Sequence, residues 1–577
     1  MLRSQVDPPV RARVGLAVLT QSIVAAFAAL TLAAAPAAAS RGQIAVLQDD
    51  VALQSNPAAT LQEMRHLGVQ MVRVYVRWST LAPAPNSRHR PNFNALDPNA
   101  YSARTWAWLD AVDRDAAARG IKVMFVPTGF APLWAQGANP GRYGGRYDPE
   151  YAWEPSASQY GAFVHAVGER YSGTFTPKGQ TTPLPRVSTW ELYNEPNFGE
   201  DLAPQAIDGS SVIYSPRMYR ALADAAWSSL SATGHSRDTI LIGSLAAAGA
   251  QAKPGRGRPQ GLPGTYGETK PLVFIRELYC LNGSYHRYLG HAAAVRGCPT
   301  TQAGYRRFKA QNPVLFRASG FSDHPYVLAK GLPPTKSDSN DPSYAEFSQL
   351  GRFAATLDRI QRSYGSGKRF PIWNTEYGYV TCPPTCHDTN HNVSPATAAI
   401  YINWAEYLSW RNPRLANTMQ YLLYDPSPTV GTPEYGGFSS GLYYFPTVHG
   451  GVAKPAYNAY RMPLFLPNAK ARRGRPVQVW GDVRPAPFAV ADGDGPQYAQ
   501  IQFAARGGAW KTVKTVAITD PHGYFDTWVT FPSSGSVRVL WNYPTFDPSL
   551  YPFQQSLTTY AEPLASAISR TAPVTIT

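Results

Sequence analysis

The chain has 577 residues, more than one ordinary domain needs but compatible with one large domain followed by a small one. Charged residues make up 16% and aromatic residues 12% of the chain, a composition that excludes an intrinsically disordered protein. The formal net charge is +15, but no block of Lys and Arg interleaved with stacking aromatics is present, so nucleic acid is not an expected partner.

Residues 1–39 have the pattern of an export signal. Three arginines precede an apolar run over residues 14–35, and alanines at 37–39 supply a small-residue cleavage site. We expect cleavage and a secreted protein, extracellular or in the cell envelope. The alternative is an uncleaved membrane anchor, because the run approaches the length that spans a bilayer. Removal of this segment, which carries three arginines and one aspartate, leaves a formal charge of +13.

The four cysteines fit an exported protein with two disulfides. Proximity in the sequence predicts that Cys280 pairs with Cys298 and that Cys382 pairs with Cys386, although four cysteines allow other pairings. The second pair has two histidines close behind it, so a metal site is the alternative interpretation there. We predict disulfides, no metal and no cofactor.

The first elements alternate between strands and helices. Strands are predicted at residues 44–48, 71–78 and 121–127, and helices at residues 58–67 and 105–119. In the second strand, the period of two places Arg73, Tyr75 and Arg77 on one face.

The fourth strand contains the run Trp190-Glu191-Leu192-Tyr193-Asn194-Glu195-Pro196. Because proline ends a strand, Asn194 and Glu195 lie where the strand gives way to a loop. Glu191 has the same strand parity as Glu195 and is predicted to point inward and to pair with Arg73 or Arg77.

The pattern continues through four more strands, at residues 239–243, 320–326, 371–376 and 418–424. Ser215-Pro216 and Ser394-Pro395 are typical helix starts, and apolar residues at steps of three and four predict a helix near residues 350–364. Eight strands alternating with helices predict a (β/α)8 TIM barrel of the α/β class.

Beyond residue 467 the apolar period changes to two, in the runs 498–503, 511–516, 524–531 and 537–541. We expect a small C-terminal antiparallel β-sandwich. The predicted organisation is a signal at 1–39, a barrel at 40–468 and a sandwich at 469–577. The sandwich is interpreted either as a polysaccharide-binding module or as a structural appendage of the barrel.

Two short motifs resemble a known group of enzymes. Asn194-Glu195-Pro196 resembles the acid/base motif of clan A glycoside hydrolases, and Thr375-Glu376-Tyr377-Gly378 resembles their nucleophile motif. The resemblance is closest to the cellulase-like glycoside hydrolase family 5, with family 39 as a near alternative. It implies a retaining β-glycosidase with Glu195 as general acid/base and Glu376 as nucleophile, their carboxyls about 5 to 5.5 Å apart.

The same resemblance implies roles for four substrate-binding residues. Asn194 is similar to the residue that binds the 2-hydroxyl of the cleaved sugar, and Arg73 to an arginine held against the nucleophile. His324 and Tyr326 resemble a His-x-Tyr pair on the sixth strand, in which the tyrosine donates a hydrogen bond to Glu376.

Aromatic residues in the loops are candidates for stacking on sugar rings. Trp134 and Tyr424 are the leading candidates, and Trp153 is a further one. For each of the three, packing within the loop is the alternative. The family usually has a tryptophan near the end of the eighth strand, whereas this chain has Gln420 and Tyr421 there.

The sequence therefore predicts a secreted glycoside hydrolase with a carbohydrate substrate. The sequence does not indicate an oligomeric state, and a monomer is assumed. Contact with a membrane is expected only if the signal is not cleaved. The alternatives from other classes are a non-catalytic carbohydrate-binding protein on a barrel scaffold and a cell-surface adhesion protein whose sandwich carries the binding.

Overall fold

A computed structural model of the chain describes residues 42–138, 152–206, 212–250, 269–327, 330–384, 386, 392–427, 438–447, 449–543 and 566–577. The predicted signal at residues 1–39 lies outside the described residues. Among the helices that are described, none combines the length and the apolar character needed to cross a bilayer.

The first unit is a closed barrel of eight parallel strands, as the sequence predicts. The strands are β1 (Ile44–Gln48), β2 (Met71–Arg77), β3 (Lys122–Thr128), β4 (Thr189–Glu191), β5 (Thr239–Ala246), β6 (Gly320–His324), β7 (Ile372–Asn374) and β8 (Asn417–Tyr421). Strand β1 pairs with β2 on one side and with β8 on the other, and a single bridge between Ile372 and Leu415 joins β7 to the residues just before β8 and closes the barrel.

Helices connect the strands on the outside of the barrel. The helices are α1 (Asp50–Ser55), α2 (Pro57–His66), α3 (Trp78–Leu81), α4 (Ala103–Ala118), α5 (Ala157–Arg170), α6 (Ser215–Ala232), α7 (Pro271–Leu278), α8 (Gly290–Ala294), α9 (Gln302–Gln311), α10 (Val314–Arg317), α11 (Leu350–Ser363), α12 (Pro395–Arg411) and α13 (Pro455–Arg461). The eight strands are followed in turn by α2, α4, α5, α6, α7, α11, α12 and α13. Single turns of 3-10 helix lie at Pro98–Ala100, Leu133–Ala135 and Phe347–Gln349.

Local sequence signals fix where these helices begin. Ser394 caps α12 by accepting a hydrogen bond from the amide of Thr397, and Pro395 takes the first helical position. Helix α6 begins at Ser215 with Pro216 behind it, as predicted. The apolar stripe of α5 that includes Tyr160 is fully buried and belongs to the core of the barrel.

The second unit consists of two β-sheets. Its strands are β9 (Leu464–Phe465), β10 (Lys470–Ala471), β11 (Val477–Asp482), β12 (Gln497–Ala505), β13 (Lys511–Ile518), β14 (Tyr524–Val529), β15 (Gly535–Asn542), β16 (Ser566–Ile568) and β17 (Ala572–Ile576), with helix α14 (Ala486–Ala491) between β11 and β12. One sheet has the order β10-β17-β15-β12-β13 with β16 on β15, and the other has the order β14-β11-β9.

Two details of the sandwich differ from the prediction. The pair β10 and β17 is parallel, so the sandwich is not antiparallel throughout. The short strand β9 pairs with β11, which places the first strand of this unit before the predicted boundary at residue 468. Neither two-residue strand, β9 or β10, carries enough alternating residues to be recognised from the sequence.

The sandwich packs against the barrel through a buried ion pair and an aromatic cluster. Both carboxylate oxygens of Glu406 on α12 accept hydrogen bonds from Nη2 of Arg484 at 2.8 Å. Trp480 on β11 packs edge-on against Tyr407 of α12, with ring centroids 5.5 Å apart. These side chains are buried, so the two units share a continuous interface.

Both predicted disulfides are present, Cys280 with Cys298 and Cys382 with Cys386. The second bond uses both sulfur atoms, so the alternative of a metal site at this pair loses its thiolate ligands. The two histidines that suggested it lie outside the described residues.

Candidate active site

The predicted site residues meet at the carboxyl ends of the barrel strands. Asn194 and Glu195 follow β4, His324 is the last residue of β6, and Glu376 follows β7 by two residues. Arg73 lies within β2 and points into the barrel from below them. Because parallel strands end at one edge, the fold brings together side chains that are far apart in the sequence.

Arg73 is the fully buried centre of the cluster. Its Nη1 donates to Oε1 of Glu376 at 2.7 Å, and its Nε donates to Oε2 of Glu191 at 2.7 Å. The predicted contacts of Arg73 with Glu376 and with Glu191 are therefore present. Glu191 also accepts a hydrogen bond from Oγ1 of Thr375 at 2.8 Å, so its carboxylate is held within the barrel.

Glu376 is held as an anion. The hydroxyl of Tyr75 donates to Oε1 at 2.5 Å, and the predicted hydrogen bond from Tyr326 reaches Oε2 at 3.3 Å. Burial raises the pKa of Glu376, but the charges of His324 and Arg73 and the hydrogen bonds from Tyr75 and Arg73 outweigh it, so the pKa lies below the usual range of a glutamate.

Glu195 has a different environment. Its Oε1 lies 2.7 Å from Nδ1 of His324, and its side chain is 18% exposed. His324 also faces Glu376, with Nδ1 at 3.6 Å from Oε2. Burial lowers the pKa of His324, but the charge of Glu376 and the hydrogen bond and charge of Glu195 raise it above the usual value.

The two glutamates face each other closely. One carboxylate oxygen of Glu195, one of Glu376 and a ring nitrogen of His324 lie within 4.8 Å of one another. The backbone of Glu195 has φ of +33°, in the left-handed region that residues other than glycine rarely adopt. This turn aims Glu195 back over the end of the barrel towards Glu376.

Asn194 is oriented by donors on its carbonyl oxygen. Its Oδ1 accepts a hydrogen bond from Nη2 of Arg73 at 3.0 Å and lies 3.0 Å from the hydroxyl of Tyr75, whose one hydrogen is directed at Glu376 over the shorter distance. Its Nδ2 lies 3.4 Å from Oδ2 of Asp201. The amide oxygen therefore faces the barrel interior and the NH2 group faces the loop after β4.

Three residues around the cluster were not among the predicted site residues. Tyr75 shares a strand face with Arg73, and this alternation was a signal for it. Asp201 lies in the loop after β4, and burial together with the charge of Glu195 raises its pKa well above the usual range. Ser244 contacts the cluster from β5, and no motif in the sequence marks it.

Aromatic side chains form one wall beside Glu376. Tyr326 packs edge-on against Phe438, with ring centroids 4.8 Å apart, and Tyr421 packs edge-on against the same ring at 5.7 Å. Tyr421, at the end of β8, occupies the region where a tryptophan was expected from the family pattern.

The two leading candidates for sugar stacking pack against other aromatic side chains of the protein. Trp134 packs edge-on against Trp78 and Phe93, with centroid distances of 6.0 and 5.6 Å. Tyr424 stacks on Tyr443 at 5.0 Å. Their role towards a sugar stays a prediction.

Within the described part of the chain, Glu195, His324 and Glu376 are the group of acidic and histidine side chains that converges closely enough to ligate a metal ion. Arg73 already contacts Oε1 of Glu376 at 2.7 Å, and its positive charge opposes a cation beside that oxygen. The prediction of no metal is retained.

No protein-family model and no curated protein sequence matches the chain. Among solved structures it is similar to a family 39 glycoside hydrolase from the gut symbiont Bacteroides cellulosilyticus WH2, at 14% identity over 85% of this chain and 80% of that one, with a TM-score of 0.41. It is also similar to a glucosidase from Croceicoccus marinus, at 11% identity over 86% and 94% of the two chains, with a TM-score of 0.42. A third similar structure is the endo-beta-1,4-mannanase from Thermotoga petrophila, at 11% identity over 93% and 98%, with a TM-score of 0.37. At this level of likeness, function has to be read from the side chains of the site.

Proposed function

We propose that the protein is a retaining β-glycosidase that hydrolyses O-glycosidic bonds of an oligo- or polysaccharide by double displacement. The observation that carries this proposal is the pair Glu195 and Glu376, whose carboxylate oxygens come within 4.8 Å of each other at the carboxyl end of the barrel. Retaining enzymes need carboxyls about 5 to 5.5 Å apart, whereas inverting enzymes need about 6.5 to 9.5 Å to admit a water molecule.

Glu376 is the nucleophile in this mechanism. Arg73 and Tyr75 both donate to Oε1 and keep the carboxylate charged, which leaves Oε2 to attack the anomeric carbon. As the glycosyl–enzyme ester forms, the negative charge of Glu376 is consumed and the bond to the departing sugar breaks.

Glu195 is the general acid and then the general base. His324 Nδ1 lies 2.7 Å from its Oε1, close enough for one proton to be shared between the ring and the carboxyl. Glu195 gives its proton to the glycosidic oxygen as the first bond breaks. It then takes a proton from water, whose oxygen displaces Glu376 from the anomeric carbon and restores both carboxyls.

Asn194 and the aromatic wall position the sugar. Because Oδ1 of Asn194 accepts a hydrogen bond from Arg73, its NH2 group is the part available to the 2-hydroxyl, a contact that strengthens towards the transition state. The rings of Tyr421 and Phe438 are suited to stack against the C–H face of a sugar.

Secretion is part of the proposal. It is supported by the charged, apolar and small-residue pattern of residues 1–39. An external location fits the two disulfides, which persist in oxidising compartments.

The proposal is tested with a panel of aryl β-glycosides and polysaccharides, with the first-formed anomer read by proton NMR. We expect release of the β-anomer before mutarotation. Release of the α-anomer overturns the double-displacement mechanism. Binding of a glycan without release of reducing ends across the panel favours the non-catalytic carbohydrate-binding alternative.

A further inference from the structure

Strand β5 contains a bulge beside the candidate site. The register between β5 and β6 shifts between Ile242 and Leu245, so Gly243 and Ser244 together stand opposite the single residue Ser322, and β5 has one extra residue. Gly243 has φ of +114°, and a Cβ atom there would lie 2.4 Å from the carbonyl oxygen of Ser322. Only glycine fits this position, and the bulge redirects the residue that follows it.

Ser244 is held in a backbone conformation that serine rarely adopts. Its φ is +52°, and its amide donates to Oγ of Ser322 at 2.8 Å. The amide of Gly243 donates to the hydroxyl of Tyr219 at 2.8 Å, which anchors the other side of the bulge. A non-glycine residue in this region is strained, and such strain is concentrated at functional sites.

The side chain of Ser244 is fully buried and points into the cluster. Its Oγ lies 3.0 Å from Nε2 of His324 and 3.3 Å from Nη2 of Arg73, and it donates to Oδ1 of Asn194 at 3.5 Å. A hydroxyl has one donor and two acceptor sites. All three are directed at residues of the candidate site.

We propose that Ser244 is a positioning residue, whose hydroxyl fixes the His324 ring against Glu195 and turns the Asn194 amide so that its NH2 group faces the sugar. The orientation of His324 and Asn194 by Ser244 does not depend on the activity of the protein, whereas its effect on kcat/KM rests on the proposed function.

The charges around His324 explain why a neutral partner is needed on its far side. Glu195 after β4 and Glu376 after β7 face Nδ1, and Arg73 on β2 faces the ring from below. A protonated ring donates from both nitrogens, so Nε2 requires an acceptor that adds no further charge. The oxygen of the Ser244 hydroxyl is this acceptor, and its hydrogen is donated in a hydrogen bond to Oδ1 of Asn194.

The test compares Ser244→Ala with Ser244→Gly. Both remove the hydroxyl, but only glycine relieves the positive φ, so the glycine variant melts at the higher temperature. We expect kcat/KM on an aryl β-glycoside to fall about tenfold in both variants, the effect of losing one or two buried hydrogen bonds. If activity instead follows the melting temperature, Ser244 is merely structural and the inference is wrong.

A substrate comparison isolates the link to Asn194. On the matching 2-deoxy glycoside, which lacks the hydroxyl that Asn194 contacts, the loss caused by Ser244→Gly shrinks to less than about threefold. An equal loss on both substrates overturns the link. Ala84→Gly is the matched control, because Ala84 is exposed and also has a positive φ, of +46°, so its replacement relieves the backbone away from the site.

A measurement without turnover separates this inference from the proposed function. In wild-type protein with 15N-labelled histidine, His324 is assigned from the signal that is lost in His324→Gln, and its titration is followed by NMR. Ser244→Gly removes the acceptor for the Nε2–H of His324, so the midpoint of the His324 titration falls by about 0.5 pH unit. An unchanged midpoint overturns the positioning role. A shifted midpoint in a protein that hydrolyses nothing upholds it and rejects the glycosidase.

Discussion

The hydroxyl of Tyr75 lies 2.5 Å from Oε1 of Glu376, the oxygen that also accepts a hydrogen bond from Arg73. Two donors on one oxygen favour the charged form of the carboxyl, while Oε2 accepts only the longer hydrogen bond from Tyr326, at 3.3 Å. Tyr75 therefore controls both the direction and the ionisation of the proposed nucleophile.

This contact predicts a pH effect. Because the pKa of Glu376 is lowered, the acid limb of kcat/KM lies below the usual range of a glutamate. Tyr75→Phe removes a donor to the anion, so the pKa of Glu376 rises and the acid limb moves to higher pH by about 0.5 to 1. Tyr379→Phe is the control, because the Tyr379 hydroxyl bonds Tyr377 instead. If the pH profiles of kcat/KM for Tyr75→Phe and wild type coincide, Tyr75 does not control the ionisation of Glu376.

The two glutamates are distinguished by azide rescue. Glu376→Ala lowers turnover by more than about 1000-fold, and azide restores it with formation of the α-glycosyl azide. Glu195→Ala, assayed on a substrate with a good leaving group, gives the β-glycosyl azide because the nucleophile is intact. Product NMR reads both results. Glu169→Ala, in an exposed part of α5, is expected to behave as wild type. The same azide anomer from both variants refutes the division of roles.

Arg73 links the site to stability. Arg73→Met leaves Glu191 and Glu376 buried without their cation and is expected to lower the free energy of unfolding by about 3 to 5 kcal/mol. The double variant Arg73→Met/Glu191→Gln regains part of this loss, and chemical denaturation measures the cycle. Asp115→Ala, which breaks a partly exposed pair with Arg119, costs less than about 1 kcal/mol. Strictly additive losses in the cycle contradict a direct coupling between Arg73 and Glu191.

The sandwich is expected to be required for folding of the barrel. Deletion of residues 470–577 removes Trp480 and Tyr524, which cover Tyr407 on α12, so an apolar face of the barrel is exposed and the truncated protein is expected to be insoluble. Arg484→Met isolates the buried ion pair between the two units and lowers the free energy of unfolding by about 3 to 5 kcal/mol. Trp528→Ala, at a side chain that is 58% exposed, is the control and changes it by less than about 0.5 kcal/mol. A truncated protein that folds and hydrolyses but loses attachment to cells supports the adhesion hypothesis instead.

The sequence was sufficient for the barrel because its eight strands, and several of the helices between them, carry apolar runs or helix-start signals of their own. The proline and glycine that follow Glu195 and Glu376 indicated that both lie near strand ends, although β4 already ends at Glu191 and β7 at Asn374. The contact of Tyr326 with Glu376 came from the family resemblance and is present in the structure.

Other features depend on tertiary structure and could not be read from the chain. The bulge that turns Ser244 inward follows from a register shift between two strands, which leaves no periodic signal. The end of β8 was predicted at residue 424, whereas the strand ends at Tyr421; Tyr424 therefore lies beyond the strand, and Tyr421 packs against Tyr326.

Arg73 joins side chains from five strands of the barrel or from the residues directly after them. They are Gln48, Tyr75, Asn194, Ser244 and Glu376. The candidate site is thus held by the strands of the barrel, while the surrounding loops lie above it. In the proposed mechanism, exchange of these loops changes which sugar is accepted, and retention of the anomeric configuration is unaffected by the exchange.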